Sequence, residues 1–193
     1  MNSLRDRIRV GLERYTPKTI AASDQIPAAV LVPLFDKNEV PHLLFTKRTN
    51  HLQYHRGEIC FPGGSREPAD ADLQATAIRE LREEIDVPQS RIELLGRLDD
   101  IRTVSSSFLV TPYVGYLQTG TWFRPNKEEV EELLEIPFAH FENASIFREE
   151  ERLVDGKPHA VYYYRWNSHT IWGLTARILK TLLDMLQGER QND

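Results

Sequence analysis

Leu73, Ala77, Leu81 and Ile85 recur at every fourth position, and Glu80, Glu83 and Glu84 stand among them at i, i+3 and i+4. An apolar repeat of this period over Asp72 to Ile85 predicts a helix with one buried stripe. The acid spacing puts all three carboxylates on one helical face, which burial of Leu81 and Ile85 would aim away from the core. Around this helix the chain reads mainly as strands. Ala28–Leu34 and His42–Thr46 are apolar runs separated by the turn-like Asp36-Lys37-Asn38, so they predict paired strands. Ile92–Leu98 and Phe108–Leu117 follow as strands, and Asp155-Gly156 signals a hairpin. Leu4, Ile8 and Leu12 predict a leading amphipathic helix over Asn2 to Glu13. Glu128–Leu134 predicts a short helix ending before Pro137, and Ile171 to Leu186 a closing helix. Strands with interspersed helices and no regular βαβ alternation indicate an α+β, mixed-sheet layer fold.

At 193 residues the chain suits one compact unit with short additions. Its longest apolar stretch, Ala28 to Phe35, is interrupted by Pro33 and is far short of the roughly 18 residues of a membrane span. Arg and acidic residues scattered through the first 15 positions are wrong for a signal peptide. A net charge of −5 argues against broad attachment to nucleic acid or anionic lipid. The one cysteine, Cys60, leaves no intramolecular disulfide framework and no multi-cysteine zinc site. A reducing cytoplasm is the compartment expected.

The chemistry concentrates in Phe61-Pro62-Gly63-Gly64 and the helix bearing Arg79-Glu80-Leu81-Arg82-Glu83-Glu84. Three adjacent carboxylates repel unless a positive charge sits among them, and a hard divalent cation such as Mg²⁺ takes such oxygens together with substrate phosphates. Arg79, four residues before Glu83, can support that carboxylate. Paired glycines let the backbone approach a phosphate or offer a carbonyl to a metal. Either feature alone is common; their conjunction is specific.

Gly64 followed by Arg79-Glu80-Leu81-Arg82-Glu83-Glu84-Ile85-Asp86-Val87 resembles the Nudix box, Gly-x5-Glu-x7-Arg-Glu-U-x-Glu-Glu-x-Gly-U with U aliphatic. The stretch from Gly64 to Arg79 is 15 positions against 14 in the pattern. The first acid is Asp70 or Asp72, and the second glycine is Asp86, a residue that tolerates a left-handed backbone better than most. Thr46-Lys47-Arg48, Gly57 and Phe61-Pro62-Gly63-Gly64 are similar to the further signature of the coenzyme A pyrophosphatase branch, Leu-Leu-Thr-x-Arg-(Ser/Ala)-x3-Arg-x3-Gly-x3-Phe-Pro-Gly-Gly. Thr49 replaces its small residue and Gln53 its second Arg, and Gln brings no charge to a phosphate.

The resemblance implies a Nudix-type α/β/α sandwich with a mixed β-sheet between helices. It places an N-terminal helical extension at 1–25 and the hydrolase domain, with its C-terminal helix, at 26–193. It implies Mg²⁺ or Mn²⁺ held by Gly63, Glu80, Glu83 and Glu84. Glu80 or Glu129 is the expected base, Arg79 belongs with the catalytic set, and Arg48, Gln53, His55 and Gly64 are the expected substrate contacts. Lys47 and Arg56 are further phosphate candidates, whereas His51 and His55 sit in a loop segment unsuited to joint metal binding. Cys60, Ser105-Ser106-Ser107, Tyr162-Tyr163-Tyr164 and Trp166 read as packing or polar loop. The implied substrate is a small nucleoside diphosphate derivative, foremost coenzyme A or an acyl derivative. ADP-ribose, dinucleotides and other nucleoside diphosphate derivatives are the alternatives, and a catalytically silent nucleotide-sensing module is the rival from another class. No nucleic acid or membrane partner is expected; a second copy of the chain could dock on the leading or closing helix.

Overall fold

Alternation along one long strand sorts the molecule into two cores. In β1 (Ile26–Lys37), Ala29, Leu31 and Phe35 face one way, and Val32 and Leu34 the other. The computed structural model describes residues 3–21, 24–49, 57–103, 107–154 and 156–190. A two-residue turn with left-handed φ at Asn38 (50°) and Glu39 (64°) joins β1 to antiparallel β2 (Val40–Arg48), as a tight hairpin of right-twisted strands requires. On its other side β1 pairs in parallel with β7 (Phe108–Leu117), which pairs with antiparallel β5 (Ile92–Arg97) and the short β6 (Ile101–Arg102). The sheet is therefore mixed.

β1 and β2 stay paired only near their hairpin and then part. The chain fills the wedge between them: β3 (Ile59–Cys60) pairs with Thr46 and Lys47 of β2, and β4 (Gly63–Ser65) with Ala28–Val30 of β1. This wedge is where the acid-bearing helix comes down on the sheet.

That helix, α2 (Leu73–Ile85), buries Ala77, Leu81 and Ile85 against Ala29, Leu31, Phe35, Leu44 and Leu117. The opposite core holds Ile8 and Leu12 of α1 (Leu4–Arg14) and Ile178, Leu179, Leu182 and Leu186 of α3 (Gly173–Arg190). Helices thus cover both faces of the mixed sheet, the expected sandwich. Arg5 and Arg9 on α1 pair with Glu93 of β5, and the Tyr15 hydroxyl donates to Asp99 at 2.7 Å, fastening the leading segment to the sheet. A second sheet, β9 (Phe147–Val154), β10 (Lys157–Trp166) and β11 (His169–Trp172), packs Phe147, Tyr162, Tyr164 and Ile171 into the same core as α3. None of the described helices is long and apolar enough to cross a membrane.

Two sequence expectations are corrected. Glu128–Leu134 does not form a helix: Val130–Pro137 is strand β8, antiparallel to β2 from His42 to Arg48. Val130 and Leu134 suit either period, but the free edge of β2 offers backbone partners that an isolated Glu-rich turn cannot match, and Leu134 and Ile136 then face the core together. The closing helix begins at Gly173, because Ile171 and Trp172 are taken up by β11.

Candidate active site

Asp72 starts α2 by accepting the Ala75 N–H on its side chain at 2.8 Å. Asp86 ends it in the left-handed conformation (φ 60°, ψ 33°), its N–H donating to the Arg82 carbonyl, so Asp does here what the pattern's glycine would do.

Asp70, and not Asp72, is the acid that Arg79 needs. The Arg79 guanidinium donates through Nε to Asp70 Oδ1 at 3.0 Å and through Nη2 to Oδ2 at 3.1 Å. Thr76 Oγ1 and the Glu67 N–H each add a bond to Oδ2 at 2.9 Å. This pairing, with Arg79 the largest contributor, holds the Asp70 carboxyl well below the usual carboxylate range. Arg79 Nη2 also donates to the Ser65 carbonyl at 2.9 Å, and Nη1 lies 2.8 Å from Glu83 and 3.0 Å from Glu80. Arg79 therefore pins α2 to β4 and gathers two of the acids, where sequence spacing predicted Glu83 alone.

Glu84 departs from the expectation of three acids aimed away from the core. Only 2% of it is exposed. At 100° per residue Glu84 falls on the flank of the Leu81–Ile85 stripe, and the wedge strands close over it. Its Oε1 accepts the Gly63 N–H and its Oε2 the Thr46 hydroxyl, both at 3.1 Å. Burial pushes the Glu84 carboxyl up to about 7; the Gly63 N–H and the charge of Arg48 oppose this, and Glu80 adds to it. Glu80 is raised too, first by burial, with Arg79 opposing and Glu83 and Glu129 reinforcing. The carboxylates of Glu83, Glu84 and Glu129 thus each lie within electrostatic reach of Glu80.

The paired glycines are where two surfaces nearly touch. A Cβ on Gly63 would stand 2.4 Å from the Ala29 carbonyl oxygen, and one on Gly64 would stand 2.3 Å from Glu80 Oε1. Gly63 admits β4 to its place beside β1, and Gly64 leaves the space that the Glu80 carboxylate occupies.

The structure also brings Arg48 and Glu129 to this region. Arg48 ends β2 with its Nε buried and without a hydrogen-bond partner, while its charge acts on Glu84 and on Cys60. Glu129 sits in the turn before β8, where its Oε1 accepts from Asn126 Nδ2 at 3.4 Å. Lys47 turns instead to Glu131, at 2.7 Å. Cys60 packs beside Thr46 with its thiol pushed up to about 11 by burial, which suits a packing role. Tyr164 lies edge-on to Phe141 and tilted against Phe147, Tyr163 lies under Arg148, and Trp166 lies edge-on to His140. Gln53 and His55, with His51, Arg56, Ser105 and Ser106, lie outside the described residues.

Sequence reasoning missed Thr46 and Asn126. Thr46 carried a signal, its place in the longer signature; Asn126 carried only the weak turn tendency of Pro125-Asn126. Thr49 gains a reason as well: its hydroxyl donates to the Glu128 carbonyl at 3.1 Å and its N–H to that of Glu129 at 2.9 Å.

The donor set fits a hard divalent ion by its chemistry. Five carboxylates, Asp70, Glu80, Glu83, Glu84 and Glu129, face the two guanidinium groups of Arg48 and Arg79, one of them committed to Asp70. Among the described residues no three side chains are already drawn together as a metal cage, and Arg79 holds Glu80 and Glu83.

A sequence model of the NUDIX domain matches residues 25–166. The chain is 36% identical over 188 residues to the uncharacterized Nudix hydrolase NudL of Photorhabdus laumondii subsp. laumondii, covering 97% of this chain and 100% of that one. It is 39% identical over 174 residues to the protein of the same name from Yersinia enterocolitica, covering 90% and 88%. Among solved structures, a MutT/nudix family protein from Enterococcus faecalis is similar over 97% of this chain and 70% of its own, with a TM-score of 0.53 at 14% identity. A C. elegans Ap4A hydrolase complex is similar over 62% and 88%, with a TM-score of 0.50 at 16% identity. These two likenesses concern the fold; the sequence matches, with the box residues gathered at one wedge of the sheet, carry the assignment. This chain belongs to the Nudix hydrolase family, and it is an enzyme of the pyrophosphatase type that acts on nucleoside diphosphate derivatives.

Proposed function

We propose that this enzyme hydrolyses the diphosphate of coenzyme A or an acyl derivative, releasing adenosine 3′,5′-bisphosphate and 4′-phosphopantetheine or its acyl form. One observation carries the reading: three residues of the longer signature, Thr46, Arg48 and Gly63, act on Glu84. The Thr46 hydroxyl and the Gly63 N–H bond its two oxygens, and the charge of Arg48 favours its ionised form against burial. The signature therefore reads as the support of the last acid in the box.

Glu80, Glu83, Glu84 and the Gly63 carbonyl would hold Mg²⁺ or Mn²⁺. When bound, such an ion supplies positive charge to the diphosphate oxygens and lowers the pKa of an attacking water. The chain's own groups do the rest. Arg48, whose Nε is buried without a hydrogen-bond partner, would bring its charge to the phosphates. Arg79 is a positioning residue that keeps α2 fixed against β4. Glu129 takes the proton as the water oxygen bonds to phosphorus and the bridging P–O bond breaks, and the displaced phosphate leaves as an anion. Glu80 is the alternative base.

Incubating purified protein and Mg²⁺ or Mn²⁺ with coenzyme A, acetyl-coenzyme A, ADP-ribose and dinucleotides, then resolving the products, tests this. The expected result is adenosine 3′,5′-bisphosphate from coenzyme A, abolished by chelator and restored by added metal. Turnover of ADP-ribose with none of coenzyme A would overturn the substrate assignment.

A further inference from the structure

The peptide that delivers Glu129 is organised by one neighbouring side chain. The Asn126 N–H donates to the Glu84 carbonyl at 2.8 Å, and two residues earlier the Arg124 N–H donates to that of Ile85 at 3.0 Å. These bonds stitch the segment onto the open carbonyls of the last turn of α2, the turn that carries Glu84. From there Asn126 reaches forward with its three other polar groups. Its carbonyl accepts from Glu129 N (3.1 Å) and Val130 N (2.8 Å), and its Oδ1 from Glu128 N (3.2 Å). Its Nδ2 donates to Glu129 Oε1. From the opposite side Thr49, next to Arg48, holds the Glu128 and Glu129 carbonyls.

We propose that Asn126 is a positioning residue for hydrolysis, tying the Glu129 carboxylate to the acid-bearing end of α2 so that base and metal-binding acids keep one geometry. This rests on Glu129 being the base. Asparagine suits the role, because an ammonium or guanidinium offers donors alone, whereas an amide donates through Nδ2 and accepts through Oδ1. The same side chain supports the turn through Oδ1, so one group sets both where the peptide bends and where its acid points.

Two substitutions separate the donor from the turn. Asn126→Ser and Asn126→Asp both keep an oxygen for the Glu128 N–H and both lose the amide donor. The expected result for each is a kcat lower by about tenfold or more, in the range that loss of a supporting contact brings. KM should stay within about twofold and Tm should be unchanged. Glu129→Gln should be slower still, and adding Asn126→Ser to it should cause no further loss. Wild-type kcat in Asn126→Ser beside a slow Glu129→Gln would overturn the positioning role alone. Losses that multiply in the double variant would show Asn126 acting by another route and would overturn it too. Wild-type turnover in Glu129→Gln would remove the base assignment and the role of Asn126 with it.

Discussion

Asp70 and Glu84 are both nearly sealed from solvent, 6% and 2% exposed, just before the start and just before the end of the same helix. Asp70 has a guanidinium bonded to both of its oxygens, a hydroxyl and a backbone N–H, so its charge is fully answered within the chain. Glu84 has one N–H and one hydroxyl, a guanidinium that acts only at a distance, and Glu80 nearby repelling it. One carboxyl is driven far below its usual range; the other rises to about 7. Burial without a paired charge is an expensive way to place a carboxylate if stability is all that is at stake. The contrast teaches that one end of α2 is a finished structural joint and the other is built for a positive charge that arrives from outside the chain.

The sharpest way to break this comparison is Glu84→Gln. Turnover should fall about a hundredfold or more, as loss of a metal ligand implies; near-normal turnover would show the wrong ligand set. Measured without metal, the same variant should gain stability in a defined window. Because the folded protein keeps the Glu84 proton up to about pH 7 while the unfolded chain releases it near 4.5, wild-type stability falls as pH rises from 4.5 to 7. Chelated Glu84→Gln should therefore melt higher than wild type at pH 8, with the gap closing toward pH 4.5.

Asp70→Asn attacks the finished end. Arg79 keeps Glu80 and Glu83, so a loss of about 2 kcal/mol is expected, somewhat under the usual penalty for breaking a buried pair. A depressed carboxyl contributes stability above its unfolded pKa near 4, so the deficit should be full at pH 6 and shrink as pH falls below 4. Urea unfolding at several pH values measures it, and a deficit independent of pH would mean that the Arg79 charge is not what matters.

The glycines sharpen the contrast further. Gly64→Ala meets the movable end of Glu80 and should lower kcat about tenfold with little change in Tm, while Gly63→Ala meets the Ala29 carbonyl and should lower Tm first. Equal effects on Tm would show that both glycines serve only the approach of strands. The smallest effect is in the protons. Calorimetric Mn²⁺ titration in two buffers of different ionisation enthalpy should show proton release near pH 6.5, approaching none by pH 8.5 and absent in Glu84→Gln.

The legible part of the fold was the part governed by short-range periodicity. The Leu73–Ile85 stripe, the leading helix and the β1–β2 hairpin follow from apolar spacing and a turn within a few residues. β8 was misread because Glu129-Val130-Glu131-Glu132-Leu133-Leu134 satisfies a helical period locally, and only the open edge of β2, some 85 residues earlier in the chain, makes the extended form better. In the site, the acid positions were legible and their environments were not. Whether Asp70 or Asp72 served Arg79 depended on one being a helix cap and the other lying under a guanidinium, which spacing cannot distinguish.

By itself the sequence determined that one helix would carry three acids at i, i+3 and i+4 beyond a pair of glycines, because helical period and the reach of a glycine backbone are local properties. Tertiary structure alone decided which of those acids is buried and what answers its charge. That depends on β1 and β2 parting to admit β3 and β4, which puts Thr46, Gly63 and Arg48 around Glu84. Proton affinity is set by the polarity and charge of everything nearby, and most of what lies near Glu84 is distant in sequence.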